Sequence, residues 1–192
     1  MSVVSAKITA AERYLSAHDP VLAPIIAAHG PCRLQPHQQY YQELVESIIG
    51  QQLSVKAAHT ICQRFRLLFE GEDFPSPEAI LGKSVEELRS AGLSASKAAY
   101  VQDLARHVRT NKFQFAQFAS LDNEEIIREL TAVKGIGEWT AHMFLIFCMA
   151  RLDVLPHGDL GIRSGIQKLY GLKSLPSPEE VKTFATAHNW HP

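Results

Sequence analysis

The chain has 192 residues, 46% of them hydrophobic and 20% charged, with a formal net charge of −1. That hydrophobic share excludes a disordered chain, and no run approaches the roughly 20 consecutive apolar residues of a membrane span. The three cysteines, Cys32, Cys62 and Cys148, are too far apart for a zinc or iron–sulfur spacing or a disulfide framework.

The length suits one domain with a real core, or two small lobes sharing one. Met1-Ser2-Val3-Val4-Ser5-Ala6-Lys7 lacks the apolar stretch of a secretory signal, so the cytoplasm is expected, at the nucleoid in a bacterium or in the nucleus of a eukaryote. Net charge gives no vote for nucleic acid. Any DNA contact must come from local positive potential and backbone dipoles.

In chain order, Asp19-Pro20 caps and starts a helix that stops at Gly30-Pro31. Tyr40 to Ile49 carries Leu44, Val45, Ile48 and Ile49 on one face. Ser54 caps a helix whose apolar face is Val55, Ala58, Ile61, Cys62, Phe65 and Leu68. Pro75-Ser76-Pro77-Glu78 is a helix start, with serine at the cap, proline in the first turn and an acid near the positive helix end. Pro176-Ser177-Pro178-Glu179 repeats the device. Ser84 and Glu87 form a capping box closed by Gly92, and Ser94 or Ser96 opens a helix bearing Tyr100, Val101, Leu104 and Val108. Phe113 to Phe118 alternates but has no hairpin partner, so it reads as a loop packing phenylalanines on the core. Asp122 and Glu125 make another box, running to about Leu130. Trp139 to Ala150 is apolar enough for a buried helix, and Asp159 caps Leu160 to Tyr170 before Gly171. The pattern predicts an all-α protein of roughly ten helices in two lobes. Residues 1–192 are expected to form a single domain with a central lobe at about 45–155 and a second lobe from about 1–44 plus 156–192.

Val133-Lys134-Gly135-Ile136-Gly137 joins two of these helices. Gly-x-Gly permits a tight reversal through positive backbone torsions. It also leaves unpaired amides at the start of the next helix, a seat for a phosphate. With Val133 and Ile136 flanking the glycines, the turn resembles the helix-hairpin-helix, a non-specific DNA phosphate binder. Gly135-Ile136-Gly137-Glu138-Trp139-Thr140-Ala141 is followed about twenty residues on by Asp153-Val154-Leu155-Pro156-His157-Gly158-Asp159. This order is similar to the hairpin, glycine/proline-rich loop and aspartate of base-excision DNA glycosylases. Ile48-Ile49-Gly50-Gln51-Gln52-Leu53-Ser54-Val55-Lys56-Ala57-Ala58 resembles the intercalation-loop segment of the alkylation-repair branch. Gly92-Leu93-Ser94-Ala95-Ser96-Lys97-Ala98-Ala99-Tyr100 resembles a turn of the same branch. By these four motifs the chain is similar to the 3-methyladenine DNA glycosylase II family, in its compact form without an N-terminal β domain.

The resemblance implies an enzyme that flips an alkylated purine of the 3-methyladenine or 7-methylguanine type from duplex DNA and hydrolyses its N-glycosidic bond. Asp159 is the implied catalytic carboxylate, opposing the positive charge that builds on the deoxyribose as the base departs; a helix cap alone is the plainer reading. Relatives that also cut the backbone carry a lysine two residues after the second hairpin glycine. Here that residue is Trp139, which implies a monofunctional enzyme and offers an aromatic wall to a cationic base; a core tryptophan is the alternative. Gln51, Gln52, Leu53 and Ser54 form the implied DNA-binding wedge, with Gln52 at the plug position and Leu53 beside it. Lys134, Gly135, Ile136, Gly137 and Thr140 are the implied phosphate grip. The carbonyls of Thr131, Val133 and Ile136 are implied ligands for a monovalent cation, Na or K; no other cofactor is expected.

His157, near Asp159, reads first as an exposed loop histidine. The family continues past Trp190-His191-Pro192 into a basic turn and a final helix, and that helix is expected to be missing here. The implied partner is double-stranded DNA with alkylated bases, bound by a monomer with no membrane association. Two other readings stay open: a non-catalytic helix-hairpin-helix DNA-binding module, and a glycosylase for hypoxanthine or uracil.

Overall fold

The structure, a computed structural model, describes residues 3–69, 71, 73–110 and 113–190. His191 and Pro192, part of the C-terminal segment singled out above, lie outside the described residues. Among those described, there is no strand, and no helix is long and apolar enough to cross a membrane. The chain forms two compact units: residues 39–144, and the two chain ends, 1–38 with 145–192. The sequence expectation placed its boundaries at about 45 and 155.

The unit of the chain ends holds α1 (Val3–His18), α2 (Leu22–His29), α10 (Leu160–Leu169) and α11 (Pro178–Ala187). α1 has no sharp apolar stripe to announce it, yet it packs on α2. Asp19 does more than start α2. Its carboxylate is 1% exposed and accepts from the Val21 and Leu22 amides, at 2.9 and 3.1 Å, and also from Tyr170 Oη at 2.5 Å and Trp190 Nε1 at 2.8 Å. Tyr170, Phe184, His188 and Trp190 pack around these bonds, with the Tyr170 and Phe184 rings edge-on at 4.6 Å. α11 begins with the expected serine cap and first-turn proline, and Ser177 and Glu180 in addition cap each other's backbone amides.

The unit of residues 39–144 is built on α7 (Ala95–Arg109). It packs against α3 (Tyr40–Gly50), α5 (Pro77–Leu81) and α6 (Val85–Ser90), while α4 (Val55–Arg66) packs on α3. The core-facing side chains of α3 are those the periodicity selects, Leu44, Val45, Ile48 and Ile49; in α7 Val101 and Leu104 are buried as expected, but Ala98 and Ala105 complete the buried face, while Tyr100 and Val108 are only partly buried. Ser54, Ser76, Ser84 and Ser94 all cap as their positions suggest, each accepting from the amide three residues on. The Phe113–Phe118 stretch is a loop with one 3-10 turn. Phe113 and Phe118 are buried, and Phe118 stands 6.0 Å from Phe144 and 6.4 Å from Tyr40. α8 (Asn123–Thr131) starts with the Asp122–Glu125 box and leads into the hairpin.

Two apolar faces differ from expectation. Val55 is 89% exposed, because it occupies the first turn of α4, where the helix has not yet reached the body of its unit. α9 (Glu138–Phe147) is shorter than the Trp139–Ala150 reading and is not buried throughout: Trp139 is 50% and Phe147 56% exposed. Hydrophobicity on every side of a helix does not distinguish burial from apolar surface kept for a ligand.

Candidate DNA-binding and catalytic residues

The hairpin forms where α8 hands the chain to α9. Ile136 N donates to Val133 O at 3.1 Å, closing the turn, and Ala141 N donates to Gly137 O at 3.0 Å, starting the helix. Val133 and Ile136 are buried and anchor the turn from below, while Lys134 and Gly137 are exposed. Only one of the two glycines has positive torsion: Gly135, at φ +85°. A Cβ there would lie 2.2 Å from Tyr100 Cδ2, so the backbone of the turn lies directly on the Tyr100 ring. At Gly137 a Cβ would meet nothing within 4 Å. The absent side chain at 137 thus leaves open approach to the amides of the new helix, the arrangement that suits an incoming anion. Thr140 is 6% exposed, so its hydroxyl is withdrawn from the open surface that Lys134 and Gly137 present.

The loop after α3 is held tightly at its base. Leu53 N donates to Gly50 O at 3.1 Å. Gln51 is half-buried, and its Nε2 donates one N–H to Gly135 O at 2.7 Å, which ties the loop to the hairpin. Gln52 is exposed and left-handed, φ +57°, a conformation that costs a non-glycine residue free energy and needs surrounding structure to hold it. Leu53, at 37%, and Ser54 are exposed with it. The loop therefore presents Gln52 and Leu53 outward, followed by the exposed Val55. Sequence periodicity had placed Val55 in the core; its position immediately after the capping serine is the signal that separates it from the rest of the α4 stripe. Lys97 Nζ reaches under the loop, donating to Ile49 O at 2.8 Å and Gln51 O at 2.7 Å. Burial holds the Lys97 ammonium below the usual lysine range, opposed in part by Cys62. Burial likewise pushes the Cys62 thiol up to about 11, which leaves it protonated and unreactive at neutral pH.

Asp159 stands in the unit of the chain ends, as N-cap of α10. Its Oδ1 accepts from Ile162 N at 2.9 Å, and its own amide donates to Pro156 O at 2.9 Å, so both backbone and carboxylate are fixed. It is half-buried, neither lost in a core nor free in solvent. A Cβ on Gly161 would lie 2.9 Å from that Oδ1, so a glycine two residues on leaves the carboxylate its place. Asp153, the other acid of the loop, is exposed, and His157 uses its ring Nδ1 on Leu155 O at 3.2 Å. The wedge loop, hairpin and Trp139 thus belong to residues 39–144, and Asp159 to the other unit. Thr131, Val133 and Ile136 offer neutral carbonyl oxygens. That of Val133 already accepts from Ile136 N and keeps a second lone pair.

Comparison with known proteins places these features in context. Residues 45–188 match the HhH-GPD superfamily of base excision DNA repair proteins. The chain is 35% identical to DNA-3-methyladenine glycosylase 1 of Schizosaccharomyces pombe over 195 aligned residues, covering 96% of this chain and 86% of that protein. Among solved structures it resembles the 3-methyladenine DNA glycosylase of S. pombe in complex with abasic DNA, with a TM-score of 0.78 at 34% identity, over 93% of this chain and 88% of that one. It also resembles a DNA-3-methyladenine glycosidase from Bacillus halodurans, with a TM-score of 0.82 at 36% identity, over 93% and 81% of the two chains.

Proposed function

Because this chain belongs to the HhH-GPD superfamily of base excision DNA repair proteins, we propose that it is a monofunctional DNA glycosylase that releases alkylated purines from duplex DNA, with Asp159 as its catalytic carboxylate. A purine alkylated at N3 or N7 carries positive charge, so it leaves as a neutral base once the N-glycosidic bond breaks, the bonding electrons going with it. The positive charge passes to the deoxyribose. A carboxylate held by a backbone amide stabilises that cation without having to reorganise as it forms. Water then adds to the anomeric carbon, its proton passes to solvent, and an intact abasic strand remains.

The observation that carries this assignment is the fixed, half-exposed carboxylate of Asp159 at the start of α10, standing at the aspartate of the family's signature. Trp139 supports the substrate class: half-exposed in the first turn of α9, it offers a π-face on which a cationic base gains about 0.5–2 kcal/mol. It also occupies the position where a lyase would need an amine nucleophile. Gln52 and Leu53 fill the gap left by the flipped nucleotide. Lys134 and the backbone at exposed Gly137 take a flanking phosphate, and the carbonyls of Thr131, Val133 and Ile136 would hold a Na or K ion, which would add positive charge to this seat. Neutral, hard oxygen donors suit such a cation. The enzyme acts as a monomer on double-stranded DNA.

The Asp159→Asn variant tests the assignment. It keeps a side-chain oxygen for the Ile162 amide but loses the charge. Single-turnover base release from methylated duplex DNA is expected to fall about 10²–10³-fold with binding retained. Turnover at the unaltered rate would remove Asp159 from the mechanism. Alkali treatment of the product separates an enzyme from a DNA-binding module, since only an abasic site breaks.

A further inference from the structure

The wedge loop and the phosphate-gripping hairpin are about eighty residues apart in sequence, yet four side chains, three of them on one helix, tie them together. Gln51 of the loop donates to Gly135 O of the hairpin at 2.7 Å. Lys97 of α7 donates to both Ile49 O and Gln51 O, closing the carbonyl end of α3 and fixing the loop's first residue. Three residues further along α7, the Tyr100 ring lies against Gly135. Three further again, Asp103 Oδ2 accepts from Lys134 N at 3.0 Å. α7 is itself immobilised, since Ala98, Val101, Leu104 and Ala105 are fully buried. One side of a core helix thus carries the contacts that hold both DNA-facing elements.

We propose that Lys97 and Gln51 are positioning residues that lock the wedge loop to the glycine hairpin, so that gripping the phosphate and inserting Gln52 and Leu53 are a single event. This rests on the reading of residues 51–54 as the wedge and of the hairpin as the phosphate seat. The physical advantage is preorganisation. Opening a base stack costs a few kcal/mol, and a loop that had to be ordered at the same moment would add its own entropy to that cost. The left-handed Gln52 shows a loop already held in the conformation it needs. Its register to the phosphate is fixed by a hydrogen bond to the hairpin backbone itself.

The test uses Gln51→Leu, Lys97→Met and their double variant on a duplex carrying a single 7-methylguanine. Three quantities are read: single-turnover base release, the fluorescence step of a 2-aminopurine beside the lesion, and affinity for undamaged duplex. Each single variant is expected to lower the release rate and the fluorescence step about tenfold, the scale of one strong hydrogen bond. Affinity for undamaged duplex, which reports the hairpin alone, is expected to stay within about twofold. The double variant is expected to be no slower than the slower single, because the two bonds act as one unit. Unaltered release in Gln51→Leu, additive losses in the double variant, or a loss confined to affinity would each overturn the proposal. Should Lys97→Met fail to fold by circular dichroism, Gln51→Leu decides alone, since it removes one bond from a half-buried side chain. Gln52→Ala runs alongside: if it keeps the full fluorescence step, the wedge reading itself is wrong and the proposal falls with it, whereas a slow Gln52→Ala beside a fast Gln51→Leu rejects the lock only.

Discussion

A Cβ on Gly135 would lie 2.2 Å from the Tyr100 ring, on a backbone already at φ +85°, whereas a Cβ on Gly137 would meet empty space. The two glycines of the hairpin therefore differ: the protein's own packing requires the first and not the second. Gly135→Ala is expected to lower Tm, through strain at a positive φ and displacement of a half-buried tyrosine. Gly137→Ala is expected to leave Tm within about a degree while weakening binding to undamaged duplex, because its methyl group stands where the phosphate must approach the amides. Thermal melts and DNA titrations of both variants check the contrast. A similar division holds at α10. Gly161→Ala raises intrinsic helix propensity by up to about 1 kcal/mol, but its methyl would press on Asp159 Oδ1 from 2.9 Å. The expected outcome is a variant whose Tm is no lower than that of the parent and whose base release is slower. Equal release rates would mean that the carboxylate need not stay where α10 holds it.

Among the elements, α7 carries the most. It packs on α3, α5 and α6, and presents Lys97, Tyr100 and Asp103 to the wedge loop and hairpin. Ser94 begins it by accepting from Lys97 N at 3.2 Å. Ser94→Ala is expected to cost about 1 kcal/mol, read as a lower urea midpoint, and to slow base release as well, since the uncapped turn is the one from which Lys97 reaches the loop. Stability loss with unaltered release at low temperature would show that the first turn of α7 matters for folding only. α4 and α9 illustrate the reverse case. Their first turns leave apolar side chains in contact with solvent, Val55 at 89% and Trp139 at 50% exposure.

For the molecule as a whole, a discontinuous unit needs something to hold its two chain segments together, and two of the four bonds that Asp19 accepts do so. Two go to the start of α2 and two to Tyr170 and Trp190 near the other end of the chain. Burial pushes the Asp19 carboxyl up, but the bonds from Tyr170, Trp190 and the Leu22 and Val21 amides outweigh it and hold the group below its ordinary value. Burial and the same carboxylate push the Tyr170 phenol well above the usual tyrosine range. A depressed carboxyl stabilises the folded state above the unfolded value, about pH 4, and that contribution disappears as pH falls through the folded value. Urea midpoints are accordingly expected to drop below about pH 4, and Asp19→Asn is expected to be less stable at neutral pH and to show a shallower drop. A parallel decline in both proteins would place the acid sensitivity elsewhere.

Much of this was already written in the residues. Caps and boxes at Ser54, Ser76, Ser84, Ser94, Asp122, Asp159 and Ser177 are local chemistry, satisfied by amides three residues away, so they can be read without a fold. The buried face of α3 follows from periodicity for the same reason, as do Val101 and Leu104 of α7, though not the alanines beside them; the hairpin and the aspartate after it are short motifs whose spacing survives on paper. What only the tertiary structure decided is how polar groups far apart in sequence use one another. Gln51 reads only as part of a DNA-facing loop, and nothing in its neighbours announces the bond it makes to Gly135 O. Asp19 reads as a simple cap until Tyr170 and Trp190 arrive from more than 150 residues away. Lys97 reads as one more charged residue on a helix until the end of α3 is placed above it. Hydrogen-bond partners at long range leave no periodic trace, because a single donor and acceptor need no pattern around them. The fold alone brings them within 3 Å.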